Sequence, residues 1–386
     1  MIPDIILYNA TCTSFFLLAF ISFFNPLKVN IIANKWFALF LFSVGCALLN
    51  VIIYTYHAEQ KYMQILAFNE LSRFTMAPAL YLSVLHFTSP DKVFRKKEYL
   101  HFIPFAVFFF FTASFVVKPH ASIFNPQAIP GVVRTVIQIF IVLSIPIQVS
   151  IYWALAYYKL VRHQKNMRLI TSNTTPVNLN WLKFLLLGIL VLILFSFNDR
   201  VFRIQLLKTY IPLGYLAGTL AIAYFLLAQK EIYPYDQPEL EDINLLINDD
   251  RKKSLMKQRF SNENLIQLKS RLTRLMEAER LFLNNELGLP DLAEEMAISV
   301  HDLSYLLNEG FGMNFFQFIN TYRIKEAKRL LLSEKYKHLN ILGIAYNAGF
   351  NSKTTFNTAF KKETGLSPSQ YMQQVKTGAS TAGSFQ

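Results

Sequence analysis

Cysteine is nearly absent: Cys12 and Cys46 are the only two in the chain, and both lie within long apolar runs. There is no CxxC spacing and no Cys/His cluster, which excludes a disulfide framework and a cysteine-ligated zinc site. Both thiols read as small buried hydrophobes. Charge is scarce as well, at 16% of residues, against about 25% in a typical soluble domain. Phosphate-loop and nucleophile-elbow motifs are missing, and no span pairs two carboxylates. No receiver-like strand–helix alternation follows Tyr233. A membrane enzyme or transporter with a regulatory tail is therefore disfavoured, and neither an enzymatic activity nor a cofactor is expected.

What the chain has in excess is apolar residues, 53% of 386 with 36 Phe. The excess is confined to residues 1–230. Candidate spans of about 20 apolar residues fall near 5–24, 36–56, 66–87, 100–117, 133–157, 182–198 and 210–228. The third, with Glu70 and Arg73, and the short fourth are the weakest. Met1 to Asn9 carries no Lys or Arg, and no small-residue cleavage site closes the first run, so that run reads as a retained span rather than a signal peptide.

The net charge of +13 invites a nucleic-acid reading, but its placement refutes that use. Residues 1–230 hold 19 Lys and Arg against 6 Asp and Glu, and residues 231–386 hold 19 against 19. The bias belongs to the membrane loops, where it sets orientation. With the amino terminus outside, inward loops carry Lys28, Lys35, Lys92, Arg95, Lys96, Lys97, Lys159, Arg162, Lys165 and Arg168. Outward loops carry only Lys61, Lys118, Arg200, Arg203 and Lys208. Seven crossings then leave the carboxyl-terminal part in the cytoplasm.

Polar groups inside spans mark where a signal could enter. Glu70 and Arg73 are three apart, share a helix face and can pair. They read either as a ligand or coupling site, or as an interfacial ion pair or packing contact. Asn50, His86, Gln138 and Gln148 read as interhelical hydrogen-bonding residues, and Pro78 and Pro146 lie inside spans.

Residues 231–264 read as a cytoplasmic linker, with one short helix near Leu240–Ile247. Its basic run, Arg251, Lys252, Lys253, Lys257 and Arg259, suits anionic lipid or DNA phosphates. From Leu265 a helical seam begins, with Leu265, Leu268, Leu272, Leu275 and Phe282 at a/d spacing. It reads as a helix packed on the following domain, or as a homodimer contact.

Residues 289–307 and 341–360 repeat one pattern: short helix, turn, then a helix with an apolar stripe. That is a helix-turn-helix drawn twice. Ala293 and Ala345 are small where the helices cross. Gly349 permits positive φ in the turn, and Ala297 at the matching place does so less easily. Ser299, with Asp302 three residues on, can cap the first recognition helix, and Asn351 or Ser352 the second. Leu303, Leu306 and Leu307 face inward in one unit, Phe356 and Phe360 in the other. Residues 315–332 make a long amphipathic helix between the units.

The region 270–375 resembles the AraC-type family of transcription factors. The carriers are Leu292-Ala293, Gly312, Arg323-x-x-x-Ala327-x-x-Leu330-Leu331, Ile344-Ala345, Gly349-Phe350, Phe356, Phe360-Lys361-Lys362 and Gly365-x-Ser367-Pro368-x-x-Tyr371. The resemblance implies a seven-helix domain, here residues 265–376, that lays two recognition helices in major-groove segments about 34–36 Å apart. Residues 377–386 read as a disordered tail. By position, the base-facing slots fall on His301, Ser304 and Tyr305, and on Lys353, Thr354, Thr355 and Thr358, with Asn357 flanking. Lys and Asn suit purine edges, and Thr suits the thymine methyl. Arg323, Lys325, Lys328, Lys361 and Lys362 suit phosphates.

The first unit departs from the family pattern. Residues 276–319 hold one basic residue against eight acidic, whereas residues 320–376 hold ten against three. The second unit is expected to supply most of the affinity, leaving the first to read weakly or to contact protein. Taken together, the sequence predicts an all-α chain: a seven-helix transmembrane bundle followed by a soluble helical domain with two helix-turn-helix units. The expected function is membrane-anchored transcription regulation. The alternative is a membrane receptor whose tail docks a protein. The expected partners are duplex DNA, the lipid bilayer, a homodimer mate, RNA polymerase, and an unidentified small-molecule or membrane-protein signal.

Overall fold

A computed structural model describes residues 2–90, 93–117, 131–174, 177–201, 205–233, 235, 237–248 and 260–374. The basic run at 251–259 and the tail at 377–386 lie outside these, as do Lys92, Lys118, Arg203 and the side chains of Gln138, Arg200 and Lys208. The regular structure among the described residues is helical, with a single isolated antiparallel bridge between Thr171 and Gly288. The chain divides into two compact units, Met1–Arg162 with Leu179–Ile232, and His163–Asn178 with Tyr233–Gln386. The division differs from the expected boundary, because residues 163–178 group with the carboxyl-terminal unit.

The first unit contains α1 (Ile2–Phe24), α2 (Ile31–Thr55), α3 (Met63–Thr88), α4 (Ile103–Val117), most of α5 (Gly131–Ile170), α6 (Asn180–Val201) and α7 (Gln205–Leu227). α2 packs against both α1 and α3, and α1 against α7. Phe37 and Leu41 of α2 are fully buried. Ile5–Phe24 and Ile31–Thr55 are long and apolar enough to cross a membrane. Asn180–Leu194 and Pro212–Leu227 are apolar but shorter. Among the described residues, then, two helices rather than seven meet the test. α3 has 26 residues, but Asn69, Glu70, Ser72, Arg73 and His86 interrupt its apolar run, and α4 has only 15. Pro78 and Pro146 do sit inside helices, in α3 and α5.

Several of the polar groups in this unit find partners. Arg73 meets Glu70 at 3.3 Å. Glu70 Oε1 also accepts from Asn50 Nδ2 at 2.8 Å, and Asn50 Oδ1 accepts from Asn69 Nδ2 at 2.8 Å. Asn50 and Asn69 are buried, so they are stable only because each is hydrogen-bonded. Gln148 Nε2 donates to the Phe74 carbonyl at 3.2 Å, and His86 Nε2 lies 2.7 Å from Glu98 Oε2.

The second unit contains α8 (Gln237–Asn248), α9 (Asn262–Ala278), α10 (Leu289–Glu295), α11 (Val300–Tyr305), α12 (Phe315–Leu332), α13 (Ile341–Asn347), α14 (Lys353–Thr364) and a closing helical segment over 368–374. α9 buries Leu272 and Met276 completely, with Leu265, Leu268 and Leu275 half-buried. Its seam therefore packs on the domain. α12 is the spine. Its 18 residues span about 27 Å at 1.5 Å per residue. Asn314 caps it, accepting from Gln317 N at 2.9 Å while its own amide donates to Gln317 Oε1 at 3.1 Å. Glu326, midway along, accepts from Arg329 at 2.7 and 2.9 Å and from Arg280 at 2.6 Å. Those hydrogen bonds, Arg329's foremost, hold its carboxyl below the usual range against an opposing effect of burial.

Candidate nucleic-acid interface

The second helix-turn-helix is α13 and α14. Asn340 caps α13 by accepting from Gly343 N at 2.8 Å. Of the two expected caps for α14, Ser352 takes the role, accepting from Thr355 N at 3.4 Å. Gly365 ends α14 at φ 77°, the left-handed stop that glycine adopts without steric cost. Ile344, Ala345, Ala348, Phe350, Phe356 and Phe360 bury against Ile324, Ala327 and Leu330 of α12. The rings run in series from Phe350 through Phe356 and Phe360 to Tyr371, each 5.2–5.4 Å from the next and near edge-to-face. With its apolar stripe fixed inward, α14 leaves Lys353, Thr354, Thr358, Lys361 and Lys362 exposed, and Thr355 and Asn357 half-buried.

Gly349 in the turn is required twice over. Its φ is 89°, and a Cβ there would lie 2.5 Å from the Phe282 carbonyl oxygen. Ala297 holds the matching place in the first unit at φ 48°, so an L-residue accepts the left-handed conformation there at a cost of roughly 1–2 kcal/mol.

The first helix-turn-helix is α10 and α11. Asp291 Oδ2 accepts from Gly288 N at 2.6 Å. Ser299 caps α11, accepting from Asp302 N at 3.1 Å while its hydroxyl donates to Asp302 Oδ2 at 2.8 Å. α11 runs on as one π turn over Leu306–Gly310. Leu303, Leu306 and Leu307 are buried, as expected. His301, Ser304 and Tyr305 are half-buried, and the Tyr305 ring meets the Phe260 ring edge-on at 5.7 Å.

Among the phosphate candidates, Lys325 is exposed and Lys328 half-buried, its Nζ 5.9 Å from the centre of the Tyr371 ring. Arg323 is the correction. It is 1% exposed, and cannot reach a phosphate. Its Nε donates to the Phe282 carbonyl at 2.7 Å, and its Nη2 to the Asn284 carbonyl at 2.7 Å and to Ser172 Oγ at 3.0 Å. Its Nη1 donates to the Ser172 carbonyl at 3.3 Å. The planar fork satisfies several backbone acceptors at once, which a lysine cannot do. Burial lowers its pKa to about 9, so it remains charged at neutral pH.

Residues 292–374 match the helix-turn-helix domain family. An uncharacterized HTH-type transcriptional regulator of Staphylococcus aureus (strain COL) is 36% identical over 91 residues, covering 24% of this chain and 12% of the relative. The HTH-type transcriptional activator RhaS of Escherichia coli (strain SE11) is 27% identical over 119 residues, covering 31% of this chain and 42% of the relative. The chain thus spans less than half the length of these curated relatives. No solved structure matches it.

Sequence reasoning missed the segment 163–174 as part of this unit. Ser172 Oγ donates to the Leu287 carbonyl at 2.7 Å besides receiving Arg323. The Tyr233 hydroxyl lies 3.2 Å from His163 Nδ1, with Tyr233 only 3% exposed. The available signal was a polar run, Thr171 to Thr174, too rich in hydrogen-bonding groups for a lipid-facing loop. It also missed that α8 packs against α11.

Proposed function

We propose that the chain is a membrane-anchored transcription regulator. It binds specific duplex DNA through its helix-turn-helix units, under control of the helical unit that precedes them. The observation that carries this reading is α14: a capped helix, held by four aromatics packed edge-to-face, with Lys353, Thr354 and Thr358 exposed and Lys361 and Lys362 exposed further along it. That is the donor and methyl set a major groove recognises, flanked by cations for phosphate. The matches to transcriptional regulators over this region support it.

The membrane half of the reading rests on the apolar helices Ile5–Phe24 and Ile31–Thr55 and on the two-to-one loop bias of Lys and Arg. The seven crossings read from the sequence would, from an outside start, put the DNA units on the side of the chromosome. The Glu70–Arg73 pair, bound into a cluster of buried asparagines, is the proposed receiver of a small-molecule or membrane-protein signal. A homodimer and contact with RNA polymerase complete the proposed partners.

The acidic first unit favours a second reading for that unit alone, as a protein-docking face. Binding of the detergent-solubilised full chain to genomic duplex fragments tests the whole. Lys353→Ala is expected to weaken binding about tenfold, the weight of one base contact. Ser304→Ala should cost less than about twofold. Equal losses would argue against unequal readers, and a chain that retains no duplex at low salt would sink the DNA reading. A reporter fused after residue 374 and found outside the cell would sink the topology.

A further inference from the structure

The two recognition helices differ in what covers them. α14 leaves three of its base-facing candidates exposed, whereas no residue of α11 is exposed. Core packing accounts for Val300 and Leu303, which point inward. It does not account for His301, Ser304 and Tyr305, which occupy the other faces of α11 and are still half-buried. Beyond α10 of its own unit, α8 also packs against α11.

α8 has one apolar face to bury. Leu240 and Ile243 are 5% and 0% exposed, while Leu245 is 57% exposed; the first two share a face by their i, i+3 spacing. Phe260 adds its ring against Tyr305. α8, α10 and α11 contain no Lys or Arg, and α8 carries Glu239, Glu241 and Asp242. These three helices themselves offer a phosphate backbone carboxylates and no lysine or arginine. Space forbids sharing as well. A major groove about 12 Å wide admits one helix, and a helix with its side chains is already about 10–12 Å across.

The chain entering α8 is pinned. Tyr233 is buried on His163 of α5, and a side chain at Gly288 would meet the Tyr235 hydroxyl at 2.7 Å.

We propose that α8 is an intramolecular lid on the first reader. With the lid closed the chain grips DNA through α14 alone; release of α8 frees His301, Ser304 and Tyr305 to enter a second groove segment. The inference rests on the DNA reading of α14, and the test separates the two. The full chain selects from a pool of random duplexes, as wild type, Ile243→Asp, Leu245→Asp and Tyr233→Phe. Wild type and Leu245→Asp are expected to enrich one segment. Ile243→Asp is expected to enrich two, about 10–10.5 base pairs apart, and to bind its selected duplex about tenfold more tightly than wild type does. Tyr233→Phe keeps the ring and removes only the pinning hydroxyl, so it decides the matter should Ile243→Asp fail to fold. It is expected to gain about fivefold, the weight of one hydrogen bond. A wild-type motif already spanning two segments, or no gain in Tyr233→Phe, overturns the lid. No enriched sequence from any of the four overturns the DNA reading itself, and the lid with it.

Discussion

The two helix-turn-helix units share a plan and differ in what their turns, caps and surfaces demand. In the second unit the turn passes so close to the Phe282 carbonyl that only glycine fits. In the first, Ala297 takes a left-handed conformation at an exposed position. The second unit closes on four aromatics in series; the first closes on leucines and runs its recognition helix into a π turn. The basic, exposed α14 is positioned to meet a polyanion, and the acidic, covered α11 is not. Two copies of one plan thus differ in turn, core and surface charge together.

The largest effect that would break the comparison is at Gly349. Alanine there meets a carbonyl oxygen at 2.5 Å in a conformation that L-residues avoid, and the neighbour is backbone, which cannot swing aside. Gly349→Ala should cost about 3 kcal/mol, read as a lowered unfolding midpoint of the second unit by amide exchange at Phe350 to Phe360. A midpoint within error of wild type would mean that the two turns are equivalent after all.

Next comes Arg323. Truncation to methionine leaves the Phe282 and Asn284 carbonyls and Ser172 without their donor in a buried site, a loss of about 2–4 kcal/mol. The salt dependence of DNA binding, measured on the folded fraction, should not change, because a residue 1% exposed releases no counterion. A shallower salt slope with an unaltered melt would restore the phosphate role.

Arg323 also shows where sequence reasoning stops. The caps Ser299 and Ser352, the inward leucines and phenylalanines and the positive-φ glycine were legible because each depends on residues within one or two turns of chain. The fate of Arg323 depends on Ser172, 151 positions away, and no local pattern encodes that. A cation beside a reader helix suggests phosphate until its acceptors are known. The covering of α11 by α8 was hidden for the same reason: a short amphipathic helix reveals its apolar face, not the partner that face will find. The seven spans were read from hydropathy and loop charge, and the polar interruptions of α3 and the brevity of α4 weigh against a simple count.

Glu326 supplies a smaller, pH-dependent effect, and it ties the spine to the first unit through Arg280. Its folded pKa is depressed by hydrogen bonds from Arg329 and Arg280. A depressed carboxylate contributes stability that is fully present above its unfolded pKa, about 4.3, and is lost as pH falls through the folded value. Wild type should therefore melt above Glu326→Gln at pH 7, with the gap closing as pH drops below about 4. A gap that is constant with pH would mean that packing, not charge, holds Arg280 to α12.

The smallest effect sharpens the comparison most finely. Ala297 sits at φ 48°, where its Cβ costs roughly 1–2 kcal/mol. Glycine removes that cost but gives back about 0.5–1 kcal/mol of unfolded-chain entropy. Ala297→Gly should therefore stabilise the first unit by about 0.5 kcal/mol, visible as slower amide exchange across Leu289 to Leu307. The sign matters more than the size. Alanine loses to glycine at both turns, by about half a kcal/mol where only φ opposes it and by several times that where the Phe282 carbonyl stands in the way as well. If Ala297→Gly instead destabilises, conformation alone does not set the preference, and the difference between the turns lies in contacts the alanine methyl makes inside the first unit.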